Sequence, residues 1–455
     1  MSGSADWFRK YNVPGPRYTS YPTVPYWTDS PTESQWLESV GDALAEGRSQ
    51  GAGAALYIHI PFCESLCTYC GCNTRITRNH GVSRPYVESV LKEWEIYRTR
   101  LGSEIELSEI HLGGGTPTFL SADDLKFLIE GILGPVKVGP NPEFSLEADP
   151  RVTSEEQLAV LRQLGFTRLS LGIQDFDPKV QEVVHRIQSK EQVGKITETA
   201  RHLGYTSVNY DLIYGLPFQT QKSIRDTVDV VRGLLPDRIA FYGYAHVPWI
   251  KPSQRRFTEA DLPSGDEKRA LYELGRSLLE EVGYAEVGMD HFALTQDSLW
   301  QAYQKGSLHR NFMGYTPRFV APLIGLGVSA IGDSGRAFSQ NEKLVESYQA
   351  RVAKGELPIQ RGHRLTSEDW VIRMHILNLM TRMETDWKDP VFQTPHLSLA
   401  LEKLTELQND GLVELTSYSC RVTPQGRPFL RNVCMAFDAR LAEKAPNSQL
   451  FSKTI

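Results

Sequence analysis

Cys63, Cys67 and Cys70 stand at Cys-x3-Cys-x2-Cys spacing in one short segment, with Tyr69 before the last cysteine and Gly71-Cys72 after it. Three thiolates on such a loop can bind three irons of a cubane and leave the fourth iron open to an external ligand. Thiolates suit this because iron–sulfur clusters take soft anionic donors. A zinc site completed by Cys72 or a histidine is the competing reading. Such zinc sites usually combine two cysteine pairs far apart in sequence. No second pair exists here, since the other cysteines are Cys420 and Cys434. Cys72 follows Cys70 too closely to be an easy fourth ligand and is placed near the site without binding iron. A second candidate is Gly113-Gly114-Gly115-Thr116-Pro117. Glycines let backbone groups approach a ligand closely, and no Gly-x4-Gly-Lys phosphate loop is present. A tight strand-to-helix turn explains the run about as well. Beside the cysteine loop, it fits a binder for the amino and carboxylate groups of an amino-acid-like cofactor.

These residues need a frame. Strand patterns over 54–60, 107–112, 143–147, 168–173, 208–213 and 238–244 alternate with helical patterns over 86–101, 122–133, 154–164, 189–203, 221–235 and 263–281. The alternation predicts an α/β fold: a parallel sheet wrapped by helices, in an open or partial (β/α)6 barrel. Chemistry in a barrel lies at the C-terminal ends of its strands, and these ends are polar. The first runs into the cysteine loop and the second into the glycine run. Glu147 ends the third, with Asp149 beyond, and Gln174-Asp175 follows the fourth. Asp211 lies near the end of the fifth, and Tyr244-Ala245-His246 follow the sixth. One polar strand end is often a helix cap; six along one rim make a site.

Residues 1–50 read as an N-terminal arm, irregular and rich in Pro and Tyr over 11–27, with a helix over 34–46 and Ser34 as its candidate N-cap. Residues 51–364 hold the barrel and its extension. From 365 to 455 the pattern changes to a smaller helical, winged-helix-like domain, with helices over 366–381 and 397–409 and a hairpin over 410–415 and 420–423. The formal net charge of −6 gives no bulk attraction to nucleic acid or to an anionic membrane. No run of about 18 apolar residues appears, and Met1 to Lys10 lack the apolar core of a secretory signal. A cytoplasmic monomer with neither nucleic-acid nor membrane partner is the expectation.

The cysteine loop resembles the radical S-adenosylmethionine motif. Beyond it, Tyr57-Ile58-His59-Ile60-Pro61-Phe62-Cys63, Gly113 to Thr118, Glu147 to Pro150, Gly172 to Phe176, Asp211 to Pro217, Gly288 to Phe292, His309 to Phe312, the arm Gly15 to Pro22 and the tail Arg431 to Cys434 resemble the oxygen-independent coproporphyrinogen III oxidase (dehydrogenase) family over nearly the whole chain. The resemblance implies a [4Fe–4S] cluster on Cys63, Cys67 and Cys70, with one S-adenosylmethionine chelating the unique iron. It implies oxidative decarboxylation of two propionates of coproporphyrinogen III to vinyl groups, giving protoporphyrinogen IX in haem biosynthesis. Tyr57, Gly114, Glu147 and Ile331 would contact the first S-adenosylmethionine. Tyr69, Gly115, Thr116, Gln174, Arg186, Asp211 and Ala245 would line a second such site. His59 would stand beside the cluster, a packed core histidine being the alternative. The implied partners are a tetrapyrrole substrate and a reductant such as flavodoxin or ferredoxin.

One stretch departs from the family pattern. Met313 stands where the family has Gln, and Pro317-Arg318-Phe319-Val320-Ala321-Pro322 replaces a polar segment. Met cannot make the hydrogen bonds of Gln. Arg318 either grips a propionate or faces solvent. Three other readings compete: a relative with the same chemistry on another substrate, a haem carrier on the same fold, and a regulator whose tail binds DNA. Cys70-Gly71-Cys72 and the Gly15 to Pro22 arm speak against the carrier. The lack of a strongly basic recognition helix speaks against the regulator.

Overall fold

The computed structural model describes residues 3–102, 105–443 and 451–454. Its frame starts from Ala54-Ala55-Leu56-Tyr57-Ile58-His59-Ile60, which forms strand β1 (Ala54–Ile60), buried along its whole length. Parallel strands β2 (Glu106–Gly114), β3 (Lys137–Ala148), β4 (Phe166–Gln174), β5 (Ser207–Tyr214) and β6 (Arg238–Gly243) follow in spatial order. Helices Ser83–Leu101, Ala122–Leu133, Glu155–Gln163, Lys190–His202 and Gln221–Leu234 connect them. This is the expected run of β/α units, but the sheet is wider. Beyond β6 lie β7 (Tyr284–Val287) and β8 (His291–Leu294). Beyond β1 lie β9 (Leu323–Leu326), β10 (Ile331–Asp333), β11 (Ala337–Asn341) and β12 (Ile359–Arg364). The twelve strands run β12-β11-β10-β9-β1-β2-β3-β4-β5-β6-β8-β7. Only β9 adds to the parallel set; the other additions are antiparallel. These additions are three to six residues long, too short for a two-residue period to stand out in sequence.

Strand side chains alternate between faces, and the two faces differ in kind. Leu56, Ile58 and Ile60 of β1, Ile110 and Leu112 of β2, Leu169 and Leu171 of β4, and Val208 and Tyr210 of β5 face the helices and form the main core. The inner face carries Glu109, His111, Glu143, Ser145, Arg168, Ser170, Asn209 and Arg238. Three ion pairs cross the N-terminal end of this interior. Arg168 pairs with Glu143, Arg238 Nε meets Asp297 at 2.6 Å, and Arg318 Nε meets Glu109 at 3.0 Å. Arg318 has one side in solvent, its side chain 41% exposed. It neither lies among the cavity-wall residues nor reaches only solvent, because Glu109 and the carbonyls of Ser108 and Asn141 hold it at the barrel floor.

The N-terminal stretch is shared between two cores. Gly3–Tyr11 is a helix where an irregular arm was expected. Trp7, Phe8 and Tyr11 fall on one face of it, and Phe8 stacks on Phe429 at 5.1 Å. Tyr18 and Tyr21 join the same core, which is otherwise built from Ser367–Arg382, Leu397–Asn409 and Leu430–Phe437. The expected hairpin of this part is a three-stranded sheet, since Glu384–Asp386 pairs with Ser419–Val422 on the side opposite Val413–Leu415. Residues 444–450 and 455 of this part lie outside the described residues. Glu33–Ser49 packs instead on the barrel through Trp36, Val40 and Leu44. Its N-cap is Thr32, not Ser34. The Thr32 side chain accepts from Gln35 N, and the Gln35 side chain accepts from Thr32 N. That reciprocal pair satisfies two amide groups at once, which a cap at Ser34 would not do.

Helix Ser83–Leu101 braces the chain around β1 and β9. Tyr86 donates to the His59 carbonyl at 2.7 Å and accepts from Val328 N at 2.9 Å. Fully buried Glu93 accepts from Gly327 N at 2.8 Å, from Asn341 Nδ2 at 2.7 Å and from the Tyr348 hydroxyl at 2.7 Å. Burial pushes its carboxyl up to about 7, against the pull of these donors. The folded chain then keeps a proton on Glu93 that the unfolded chain has released, so stability falls as pH rises between the two values. In cofactor-free protein, urea unfolding of the wild type should weaken by about 3 kcal/mol from pH ~4.5 to ~7 relative to Glu93→Gln. Parallel pH curves for the two proteins would refute this.

Candidate active site

The cysteine loop leaves β1 at the C-terminal edge of the sheet, where a two-residue bridge pairs Phe62–Cys63 with Arg75–Ile76. Its three thiols line a cavity of about 610 Å³ that runs down the barrel interior. Cys63 Sγ lies 3.3 Å from Thr116 Oγ1, and Cys70 Sγ accepts from Cys72 N at 3.4 Å. Burial raises the Cys63 thiol to about 11, and hydrogen bonds from Cys72 lower that of Cys70. Two guanidinium groups point at Cys67 Sγ, Arg186 Nη1 from 3.6 Å and Arg151 Nη2 from 3.7 Å. Asp149 holds both, at 3.3 and 2.6 Å. Burial pushes Asp149 up, but Arg186 and Arg151 outweigh it and keep the carboxyl below its usual range. The loop thus has soft donors, nearby positive charge and an open side toward a cavity. This donor set fits a cluster bound through three thiolates.

Gly114 and Glu147 meet beside the loop. Gly114 has φ +115°, and a Cβ there would lie 2.8 Å from the His59 ring. Glycine is required on both counts. Gly114 N donates to Glu147 Oε2 at 3.1 Å, and His111 Nε2 lies 3.4 Å from Glu147 Oε1. Burial pushes Glu147 up; His111 and the Gly114 amide more than offset it and hold the carboxyl below its usual range. His59 Nε2 donates to the Asn73 carbonyl at 2.9 Å, so its Nδ1 accepts from the Tyr57 hydroxyl, also at 2.9 Å. Burial lowers its pKa and keeps the ring neutral. Both ring nitrogens are engaged, and the ring fixes the direction of Tyr57.

Cys63, Cys67, Cys70, Tyr69, Gly114, Gly115, Thr116, Glu147, Gln174, Arg186 and Asp211 share the cavity wall. Tyr57 stands just behind it in an apolar cluster with Phe312 and Met313, its ring 4.8 Å from that of Phe312. Met313 itself reaches the wall; Ala245 and Ile331 do not. Ala245 lies after β6, its carbonyl bound by Gln254 Nε2 at 3.2 Å, and Ile331 opens β10. Gln174 has φ +67° and leaves Oε1 buried without a partner among the described residues. Such an atom is costly unless a ligand reaches it. Sequence reasoning missed His111, Arg151, Ser170 and Asn209. Their signal was the alternation of polar residues inside the strands and, for Arg151, its place after Asp149-Pro150.

The family model of the radical SAM superfamily matches residues 57–231. The chain is 40% identical to the oxygen-independent coproporphyrinogen III oxidase of Pseudomonas aeruginosa over 99% of its own length and 98% of that protein's. It is 38% identical to the Escherichia coli protein of the same name, over 99% of both. It belongs to the oxygen-independent coproporphyrinogen III oxidase family. The solved structure of coproporphyrinogen III oxidase from Escherichia coli, described as a radical SAM enzyme, superposes with a TM-score of 0.87 at 37% identity, over 93% of this chain and 98% of that one. The partial-barrel architecture is therefore that of the coproporphyrinogen oxidase family. At this level of full-length identity, the carrier and regulator readings have no comparable support.

Asp211 shows how the polar interior of this coproporphyrinogen oxidase relative is tuned. It accepts from Asn209 Nδ2 at 2.9 Å and from Ser170 Oγ at 3.2 Å. Burial, then the charge of Glu147, push its carboxyl up to about 7. Removing that charge leaves fewer causes to raise it. In cofactor-free protein, Glu147→Gln should lower the Asp211 midpoint in a carbon-13 carboxyl titration. An unchanged or higher midpoint would show that the two carboxylates do not interact.

Proposed function

We propose that this chain is an S-adenosylmethionine-dependent oxidoreductase that decarboxylates two propionate side chains of coproporphyrinogen III to vinyl groups, giving protoporphyrinogen IX. The observation that carries the reading is the three-thiol loop opening onto the cavity that holds Gly114 and Glu147. When bound, the cluster and S-adenosylmethionine would supply hydrogen-atom abstraction from a propionate β-carbon; each propionate would then lose carbon dioxide and pass one electron to an external acceptor, leaving the vinyl group. The chain's own residues hold, orient and shield. Cys63, Cys67 and Cys70 would hold the irons, while Arg151 and Arg186 would offset the thiolate charge. Glu147, already ionised and backed by Gly114 N, receives a cationic amine. His59 is a positioning residue that holds Tyr57; Gly114 would meet the first S-adenosylmethionine at the wall, with Tyr57 and Ile331 behind it. Tyr69, Gly115, Thr116, Gln174, Arg186 and Asp211 border a second molecule, with Ala245 behind them. The volume is of the size that takes a cofactor or a drug-sized ligand, a few hundred Å³ and upward. A cytoplasmic monomer served by an external one-electron reductant, flavodoxin or ferredoxin, completes the reading.

Anaerobic incubation with coproporphyrinogen III, S-adenosylmethionine and dithionite tests it. Porphyrin chromatography should show the divinyl product. Cleavage of S-adenosylmethionine with no vinyl product would move the chain to another substrate. Substituting any of Cys63, Cys67 or Cys70 by Ala should remove both the cluster absorbance and the product. Gly114→Ala should keep the cluster absorbance and lose roughly a hundredfold in rate, because a displaced cofactor loses its reactive geometry. A colourless, iron-free wild type would sink the reading.

A further inference from the structure

The proposed chemistry requires an electron from outside, and one face of the molecule lies directly over the loop that would receive it. Segment 248–256 is braced on the cysteine loop. Lys251 Nζ donates to the Cys72 carbonyl at 3.1 Å, and Gln254 Nε2 donates to the Tyr69 carbonyl at 3.1 Å. The same segment presents Arg255 and Arg256 to solvent. None of Lys251, Arg255 and Arg256 has a carboxylate within salt-bridge distance among the described residues. Between this segment and the cysteine loop runs a surface groove of about 540 Å³. Leu66 and Ile187 line it, 44% and 70% exposed, with Arg151, Arg256, His185 and Glu182 beside them; Arg256 Nη1 donates to His185 Nε2 at 2.6 Å, and Glu182 faces Lys179 at 3.8 Å. The groove wall is one contact from the thiol: the His185 carbonyl lies 3.9 Å from Cys67 Sγ, and Thr68 N bonds the Val184 carbonyl.

We infer that this groove is the docking face for an acidic flavodoxin, seated with the edge of its flavin over Cys67. The inference rests on the radical S-adenosylmethionine reading above. Charge chooses the partner's sign. The chain carries −6 overall, yet three cations without a carboxylate partner among the described residues, Lys251, Arg255 and Arg256, gather beside the cysteine loop, so an acidic surface is drawn there and a general acidic-protein attraction elsewhere is opposed. Shape chooses the flavin. Two exposed aliphatic side chains, Leu66 and Ile187, accept its apolar ring edge. One electron leaves the reduced flavin and enters through the loop; no bond forms or breaks and no proton needs to move. Electron-transfer encounters are small and short-lived, which a shallow groove with a charged rim suits.

The test separates docking from chemistry. Cluster-loaded protein is titrated with oxidised flavodoxin by calorimetry, so that no turnover occurs. Wild-type affinity should fall with added salt. The double change Arg255→Glu/Arg256→Glu should weaken binding about tenfold or more and flatten the salt dependence. Ile187→Asp, in the same groove but outside segment 248–256, should weaken it as well. S-adenosylmethionine cleavage by these variants should match wild type with dithionite and fall about tenfold with reduced flavodoxin at subsaturating concentration. Unchanged flavodoxin affinity in all variants, equal losses with both reductants, or binding of ferredoxin but not flavodoxin would overturn the inference. Failure of wild type to cleave S-adenosylmethionine with dithionite would instead strike the proposed function, and the calorimetry would still decide the docking face.

Discussion

A barrel interior lined with charged side chains is tolerable only when each charge finds a partner across neighbouring strands. Burying an isolated charge costs several kcal/mol even after relaxation, and this interior carries Glu109, Glu143, Glu147, Arg168, Asp211 and Arg238 on adjacent strands. The solution is layered. At the floor, full ion pairs join Arg168 to Glu143, Arg238 to Asp297 and Arg318 to Glu109. Near the rim, Glu147 is held by one amide and one imidazole, and Asp211 by an amide and a hydroxyl. A slip of one residue in any strand would turn these groups into the apolar core and send Leu and Ile inward. Pairing inside the barrel therefore fixes the register that delivers the thiols and the glycine run to one edge.

The same economy of partners governs the thiol loop. Two guanidinium groups converge on Cys67, and a single carboxylate, Asp149, keeps them from repelling each other. Arg186 also donates to the Gly172 carbonyl at 2.7 Å, and a Cβ on Gly172 would lie 2.8 Å from that guanidinium. Position and charge are set together: the arginine that offsets a thiolate also ties β4 to the loop. A lysine could carry the charge but not the fork of contacts.

Much of this was legible in the sequence, for identifiable reasons. The long β/α units were, because a buried apolar run followed by an amphipathic segment has two periods that differ clearly. Helix Leu397–Asn409 begins and ends where its pattern does. The cysteine loop and glycine run were legible because few residue types can do their work. The flanking antiparallel strands were not, being too short to show a period. Helix Gly3–Tyr11 was not, because its apolar face is completed by Phe429, a residue more than four hundred positions away. The Glu109 partner of Arg318 was not legible either, because it lies on β2, 209 positions away. His111, Ser170 and Asn209 were overlooked because attention to strand ends passes over polar residues in strand interiors.

The shared core of the two ends of the chain has a temporal meaning. Tyr18 donates to Asp438 at 2.9 Å across 420 residues of sequence, and Arg431 grips the carbonyl of Pro16. Segment 7–21 is synthesised before the barrel, whereas its apolar partners at 429–437 follow the barrel. Contacts so distant in sequence close slowly. Strands β1 to β6, which pair in chain order, can be in place while these aromatic residues are still uncovered. Synthesis thus leaves an interval in which the strands carrying the thiol loop and the glycine run can be paired while segment 7–21 has yet to meet residues 429–438.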